Sequence, residues 1–115
     1  MFDFENLEVY KKTKQFNLEI YNFLKLHGSI DSYLYGQLRR AGLSISLNIA
    51  EGSGRISKRD KRNFFIIARG SVFECVAILE ILLLEKQITL ENYNEFYYQL
   101  EEISKMLYGL RKSNE

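Results

Sequence analysis

Three features of the 115-residue sequence predict an all-α fold, an antiparallel up-down-up-down four-helix bundle. The chain holds no proline, so no fixed φ or missing N–H interrupts a helix. Apolar residues return every third or fourth position through four segments, the period of helices that turn one face inward. The breaks between segments are short, and short connections make consecutive helices antiparallel neighbours. One domain covering residues 1–115 is expected, long enough to bury a core without a disulfide or metal.

The first helix is predicted from Leu7 to Leu26, with Val9, Phe16, Ile20, Phe23 and Leu24 on its inner face. His27 and Gly28 end it. A histidine in the last turn suits the helix dipole, and glycine is the usual residue just past it. Asp31 or Ser32 caps the second helix, whose central stretch runs from Gln37 to Arg55. Leu34, Leu38, Ala41, Ile45 and Ile49 form one apolar stripe there, while Leu43, Leu47 and Ala50 point roughly the opposite way. A polar file of Gln37, Arg40, Ser44, Asn48, Glu51 and Arg55 separates them. The outer helix of a monomeric bundle needs one stripe, so a second one predicts a central helix or one shared with another subunit.

Gly52-Ser53-Gly54 is expected to break the chain. Ser57 then caps a third helix, with Asp60 three residues on, and this helix reaches about Lys86. Its core stripe is Phe64, Ala68, Val72, Cys75, Leu79 and Leu82; a second set, Ile66, Phe73, Ala77 and Leu84, lies on the far side. Gln87–Leu90 form the last turn, Thr89 caps the fourth helix, and Tyr93, Tyr97, Leu100, Ile103, Leu107 and Leu110 carry its stripe down to Ser113. Leu43 and Leu47 with Ile66, Phe73 and Ala77 are the expected oligomer interface, too apolar to stay wet as one patch.

QLRRA followed by the pattern S-I-x-x-NIAEG-x-GR is a long and specific string. With the opening FENLEVYKK, the segment SKRDKRNFFIIARGS and a Tyr-rich last helix, it resembles the family of four-helix-bundle proteins. Some members of that family are encoded by intervening sequences within bacterial 23S rRNA genes, and accessory proteins of diversity-generating retroelements are similar. The resemblance spans nearly the whole chain. It implies a homopentameric ring, a link to nucleic acid and no known enzymatic activity. Ser46 departs from the pattern, since many members carry proline there; a helix kink is therefore not carried over.

Net charge is only +1, but its distribution is uneven. Residues 39–69 carry 8 basic and 2 acidic side chains, and residues 70–115 carry 4 and 8. The single cysteine, Cys75, precludes an internal disulfide and suits a reducing compartment. The acidic start lacks the apolar run of a signal peptide, and Arg69, Glu74 and Glu80 interrupt the greasiest helix short of a membrane span. A cytoplasmic protein without membrane partners is expected.

Catalysis finds little support. His27 is the only histidine, so no paired-histidine metal motif exists, and no cofactor or metal is expected. Cys75 sits on a core stripe, where a buried thiol is inert. Glu101 and Glu102 are adjacent and diverge around the helix, whereas Glu74 and Glu80 invite ion pairs with Arg69 or an arginine of the second helix. Asn48, Glu51 and Arg55 share one side of the second helix. A ligand pocket is one reading of them; bonds from Asn48 and Glu51 to backbone or to Arg39 and Arg40, fixing how helices meet, is the preferred one.

The corner GSGRISKRDKR is the expected nucleic-acid-binding segment, through Arg55, Lys58, Arg59, Lys61 and Arg62. It is no P-loop, having neither a preceding strand nor a GK[ST] ending. Unpaired N–H groups at a helix start nonetheless form an anion site, while four cations there oppose the helix dipole. A solvated charged end is the plain alternative. No aromatic residue is interleaved among these charges. The favoured function is an oligomeric module that binds RNA, or DNA, through copies of this corner. The alternative is a scaffold or accessory subunit that grips a protein such as a reverse transcriptase. An enzyme ranks last.

Overall fold

A computed structural model describes residues 1–115. Its elements are a short 3₁₀ turn, Asp3–Asn6, then α1 (Glu8–Leu26), α2 (Ser32–Ser53), α3 (Lys58–Leu84) and α4 (Leu90–Ser113), with no strand. The fold is therefore all-α with four helices. Three helix starts are side-chain capped: Asp31 Oδ1 accepts from Leu34 N at 3.0 Å, Ser57 Oγ from Asp60 N at 3.1 Å, and Thr89 Oγ1 from Asn92 N at 3.1 Å. Such caps contribute about 1 kcal/mol each. His27 closes α1, its Nδ1 donating to the Phe23 carbonyl at 2.7 Å.

A core of 20 buried side chains draws on all four helices. Phe16 and Ile20 of α1, Ile45 and Ile49 of α2, Leu79 and Leu82 of α3, and Ile103 and Leu107 of α4 are almost wholly excluded from water. Each side chain of this size contributes about 1.5–3 kcal/mol on burial. α2 packs most closely on α3. Ser44 Oγ meets Ser71 Oγ at 2.8 Å, Arg40 pairs with Glu74, and Gly52 abuts Phe64.

Two positions differ from the expected stripes. Phe65, not Phe64, enters the core on α3, and Phe96, not Tyr97, does so on α4; Phe64 is half-buried and Tyr97 exposed. Steps of four residues advance around a helix, whereas steps of seven return within about 20° of the same line. Phe65 lies seven residues before Val72, and Phe96 seven before Ile103, so these two face inward.

The glycine corner also differs. α2 continues through Gly52 to Ser53, and Gly54 caps it at φ −85°, so neither glycine serves a left-handed turn. Gly52 is buried instead: a Cβ there would lie 2.7 Å from Phe64 Cβ and 3.1 Å from Phe65 Cε1. Its missing side chain lets α2 and α3 approach. The chain turns tightly at the other end of α3, where Lys86 takes φ 58° and Gln87 N donates to Leu82 O at 2.9 Å. This wrapped helix end usually carries glycine, and α3 accordingly stops at Leu84 rather than near Lys86. α2 runs without interruption past Ser46, whose Oγ accepts from Asn17 Nδ2 at 3.2 Å.

Candidate nucleic-acid interface

The basic corner joins α2 to α3, and its five cations do different work. Arg55, just past the end of α2, pairs with Glu51 in its last turn at 2.9 Å, and its guanidinium lies 4.7 Å from the Phe64 ring centroid. Lys61 Nζ donates to the Ser53 carbonyl at 2.9 Å, satisfying an acceptor that the end of α2 leaves open. Arg62 donates to the Asn114 carbonyl and ties the start of α3 to the end of α4. Lys58 and Arg59 are exposed and make no hydrogen bond or ion pair within the chain. They stand in the first turn of α3, where the positive end of the dipole disfavours a cation.

The polar file of α2 is mostly occupied in packing. Arg40 donates to Gln37 Oε1 at 3.1 Å and pairs with Glu74 across to α3. Asn48 Nδ2 donates to the Ser44 carbonyl at 2.8 Å and to Ser44 Oγ at 3.1 Å, holding the hydroxyl that meets Ser71. Arg39 turns to α1, donating to the Asn17 carbonyl at 3.4 Å and lying 4.9 Å from the Tyr21 ring centroid. Glu51 therefore pairs with Arg55 and not with Arg39 or Arg40. Asn17 itself, unremarkable in the sequence, donates to the Gly42 carbonyl at 2.8 Å and joins α1 to α2.

The second apolar set lies outward. Leu43 and Leu47 are 55% and 57% exposed on α2, and Ile66, Phe73, Ala77 and Leu84 are exposed on α3. Ile67 and Ile81 add to the α3 surface. Cys75 is fully buried, and burial is the main force that pushes its thiol up to about 12, with Glu74 adding to the shift and Arg40 opposing it. It is protonated at neutral pH and no nucleophile. No three His, Cys, Asp or Glu side chains stand close enough to share a metal ion.

The model of the 23S rRNA-intervening sequence protein family matches residues 5–109. The chain belongs to that family. A crystal structure of a protein of unknown function from the S23 ribosomal protein family of Bacteroides thetaiotaomicron is 31% identical, with a TM-score of 0.82, and the match covers 90% of this chain and 98% of that one. No curated protein matches the chain.

In this member of the 23S rRNA-intervening sequence family, the NIAEG run is largely architectural. Asn48 braces Ser44, Ile49 is core, and Gly52 is the contact point of α2 with α3. No helix is long and apolar enough to cross a membrane.

Arg69, read in the sequence as an ion-pair partner for Glu74 or Glu80, lies instead near Arg111 between α3 and α4, while Glu74 pairs with Arg40. Arg69 Nε donates to Ser104 Oγ at 3.1 Å, and its guanidinium lies 4.9 Å from the Phe73 ring centroid and 5.8 Å from that of Tyr108. Arg111 lies 5.2 Å from the Tyr108 centroid. The spacing of Ser104, Tyr108 and Arg111, four then three, marks one face of α4. That this face meets Arg69 depends on how the two helices pack, which spacing does not reveal.

Proposed function

We propose that this protein is a non-enzymatic, antiparallel up-down-up-down bundle that assembles into a homo-oligomeric ring, a pentamer by the family resemblance. It binds nucleic acid, RNA foremost, through the corner between α2 and α3 and works in the reducing cytoplasm. The observation that carries the binding is the position of Lys58 and Arg59, exposed, without intramolecular partners, at the helix end that repels them. Two cations placed there cost the isolated chain about 0.3–1 kcal/mol each, a cost that phosphate contacts reverse.

Assembly rests on the outward apolar residues. Leu43 and Leu47 on α2 and Ile66, Phe73 and Ala77 on α3 stay exposed on the single chain, and a heterologous contact through them that closes makes a ring. A ring repeats the corner once per subunit and converts a weak site into avid binding.

The test is a fluorescence-anisotropy titration of labelled single-stranded RNA at several salt concentrations, wild type beside a Lys58→Gln, Arg59→Gln, Lys61→Gln variant. The wild type should bind with log affinity falling linearly in log salt, by about 0.7 per contacted phosphate. The variant should bind all sequences more weakly and with a shallower slope, because backbone contacts carry no base information. Absence of binding by the wild type at low salt hands the basic surface to a protein partner.

A further inference from the structure

We propose that the groove between α3 and α4 is a second, stacking contact for single-stranded RNA, with Arg69 and Arg111 holding phosphate and Tyr108 receiving a base; this rests on the nucleic-acid reading above. Two neighbouring clefts, of about 370 and 280 Å³, are both lined by Arg69 and Phe73 and make up this groove. Its charged lining residues are Arg69, Lys105 and Arg111 against the single carboxylate of Glu101.

A charged side chain drawn out of water is stabilised by a partner of opposite charge. Arg69 and Arg111 are half-buried here, and neither forms an ion pair. Arg69 has one hydroxyl, Ser104, and Arg111 keeps a buried Nε with no hydrogen-bond partner. The groove thus holds positive charge that the chain itself does not neutralise, and beside its two arginines stands the Tyr108 ring, 44% exposed.

Cations packed beside a part-exposed aromatic ring are what an unpaired strand uses, its phosphates following the charge and its bases stacking on rings or guanidinium planes. A duplex keeps its bases stacked within itself and leaves the rings unused. Arg62, held by the Asn114 carbonyl, lies seven residues before Arg69, within about 20° of the same line on α3, and stands four residues after Lys58. The corner and Arg69 therefore lie along one side of α3.

The experiment compares labelled oligouridylate with an abasic ribose-phosphate strand of equal length, and uses poly-glutamate as competitor. The proteins are the wild type, the triple corner variant, Arg69→Gln with Arg111→Gln, and Tyr108→Leu. Tyr108 is a surface residue, so its replacement leaves the core intact, and circular dichroism with light scattering checks that every variant keeps the helicity and assembly of the wild type.

The double arginine variant should bind oligouridylate more weakly, with a salt slope shallower by about 1.4 for two lost phosphate contacts. Tyr108→Leu should keep the slope but lose about tenfold in affinity for oligouridylate and nothing for the abasic strand. Wild-type binding that the corner variant loses and both groove variants retain overturns the proposal and leaves the corner as the sole site. Equal binding of abasic strand and oligouridylate by the wild type, or displacement of RNA by poly-glutamate as readily as by unlabelled RNA, also overturns it in favour of a plain polyanion surface. No binding by the wild type overturns this proposal and the reading it rests on together.

Discussion

Gly52 of α2 meets Phe64 of α3 so closely that a Cβ added to the glycine would stand 2.7 Å from the phenylalanine Cβ. Neither partner of that hypothetical contact is the far end of a flexible side chain, so the backbones must part to admit it. Gly52→Ala should therefore lower stability by about 1–3 kcal/mol, the range for overpacking a close contact. At Gly109, in α4, an added Cβ meets nothing within 4 Å. Gly109→Ala should raise stability by up to about 1 kcal/mol through helix propensity alone. Urea denaturation of both variants checks the pair; equal effects would deny the special role of the Gly52 contact.

Glu51 looks in sequence like a residue that fixes a helix junction, but its partner is Arg55, just past the end of the same helix, and both side chains are well exposed. An exposed pair one turn apart contributes about 0.3–0.5 kcal/mol. Glu51→Gln should shift the urea midpoint by no more than that amount. A loss of 1 kcal/mol or more, about the worth of a buried bond, would place Glu51 at a junction between subunits.

Lys58 and Lys61 are three residues apart and should behave oppositely. Lys61→Gln removes the donor to the Ser53 carbonyl and should destabilise by about 1–2 kcal/mol. Lys58 has no such bond, so Lys58→Gln should leave stability unchanged or raise it by up to about 1 kcal/mol, as a cation leaves the positive end of α3. Thermal melts of the two single variants decide this.

Leu47→Glu, alone or with Leu43→Glu, places charge on an outward face and not in the core. Helicity should stay native-like while light scattering reports smaller assemblies. A wild type that is already monomeric at tens of micromolar would end the assembly reading.

Cys75 should resist an aromatic disulfide reagent at neutral pH and react only at the rate of unfolding, because the thiol is buried and protonated. Its folded value, about 12, lies above the ordinary 9.0. The stability it contributes is complete below pH 9, is lost as pH rises from there towards 12, and is unaffected by acid. The difference in urea midpoint between wild type and Cys75→Ala should shrink over that alkaline window. Prompt labelling of folded protein at pH 7 would show that the thiol is open to solvent.

The sequence by itself determined what depends on spacing along one chain. Four helices, their caps at Asp31 or Ser32, Ser57 and Thr89, and most of a core stripe on each follow from hydrogen-bonding geometry and the helical period, which are local. The outward position of Leu43, Leu47, Ile66, Phe73 and Ala77 was legible for the same reason. Phe65 and Phe96 were within reach too, had steps of seven been weighed above steps of four. Tertiary structure alone decided which side chains meet across helices. Gly52 reads as a turn residue until Phe64 is placed against it, and Lys61 and Arg62 read as free cations until their carbonyl partners come near. Arg69 and Arg111 lie 42 residues apart in sequence, and only the packing of α3 against α4 brings both to one tyrosine ring. Such contacts depend on the rotation and offset of whole helices, which many side chains fix together and no local pattern encodes.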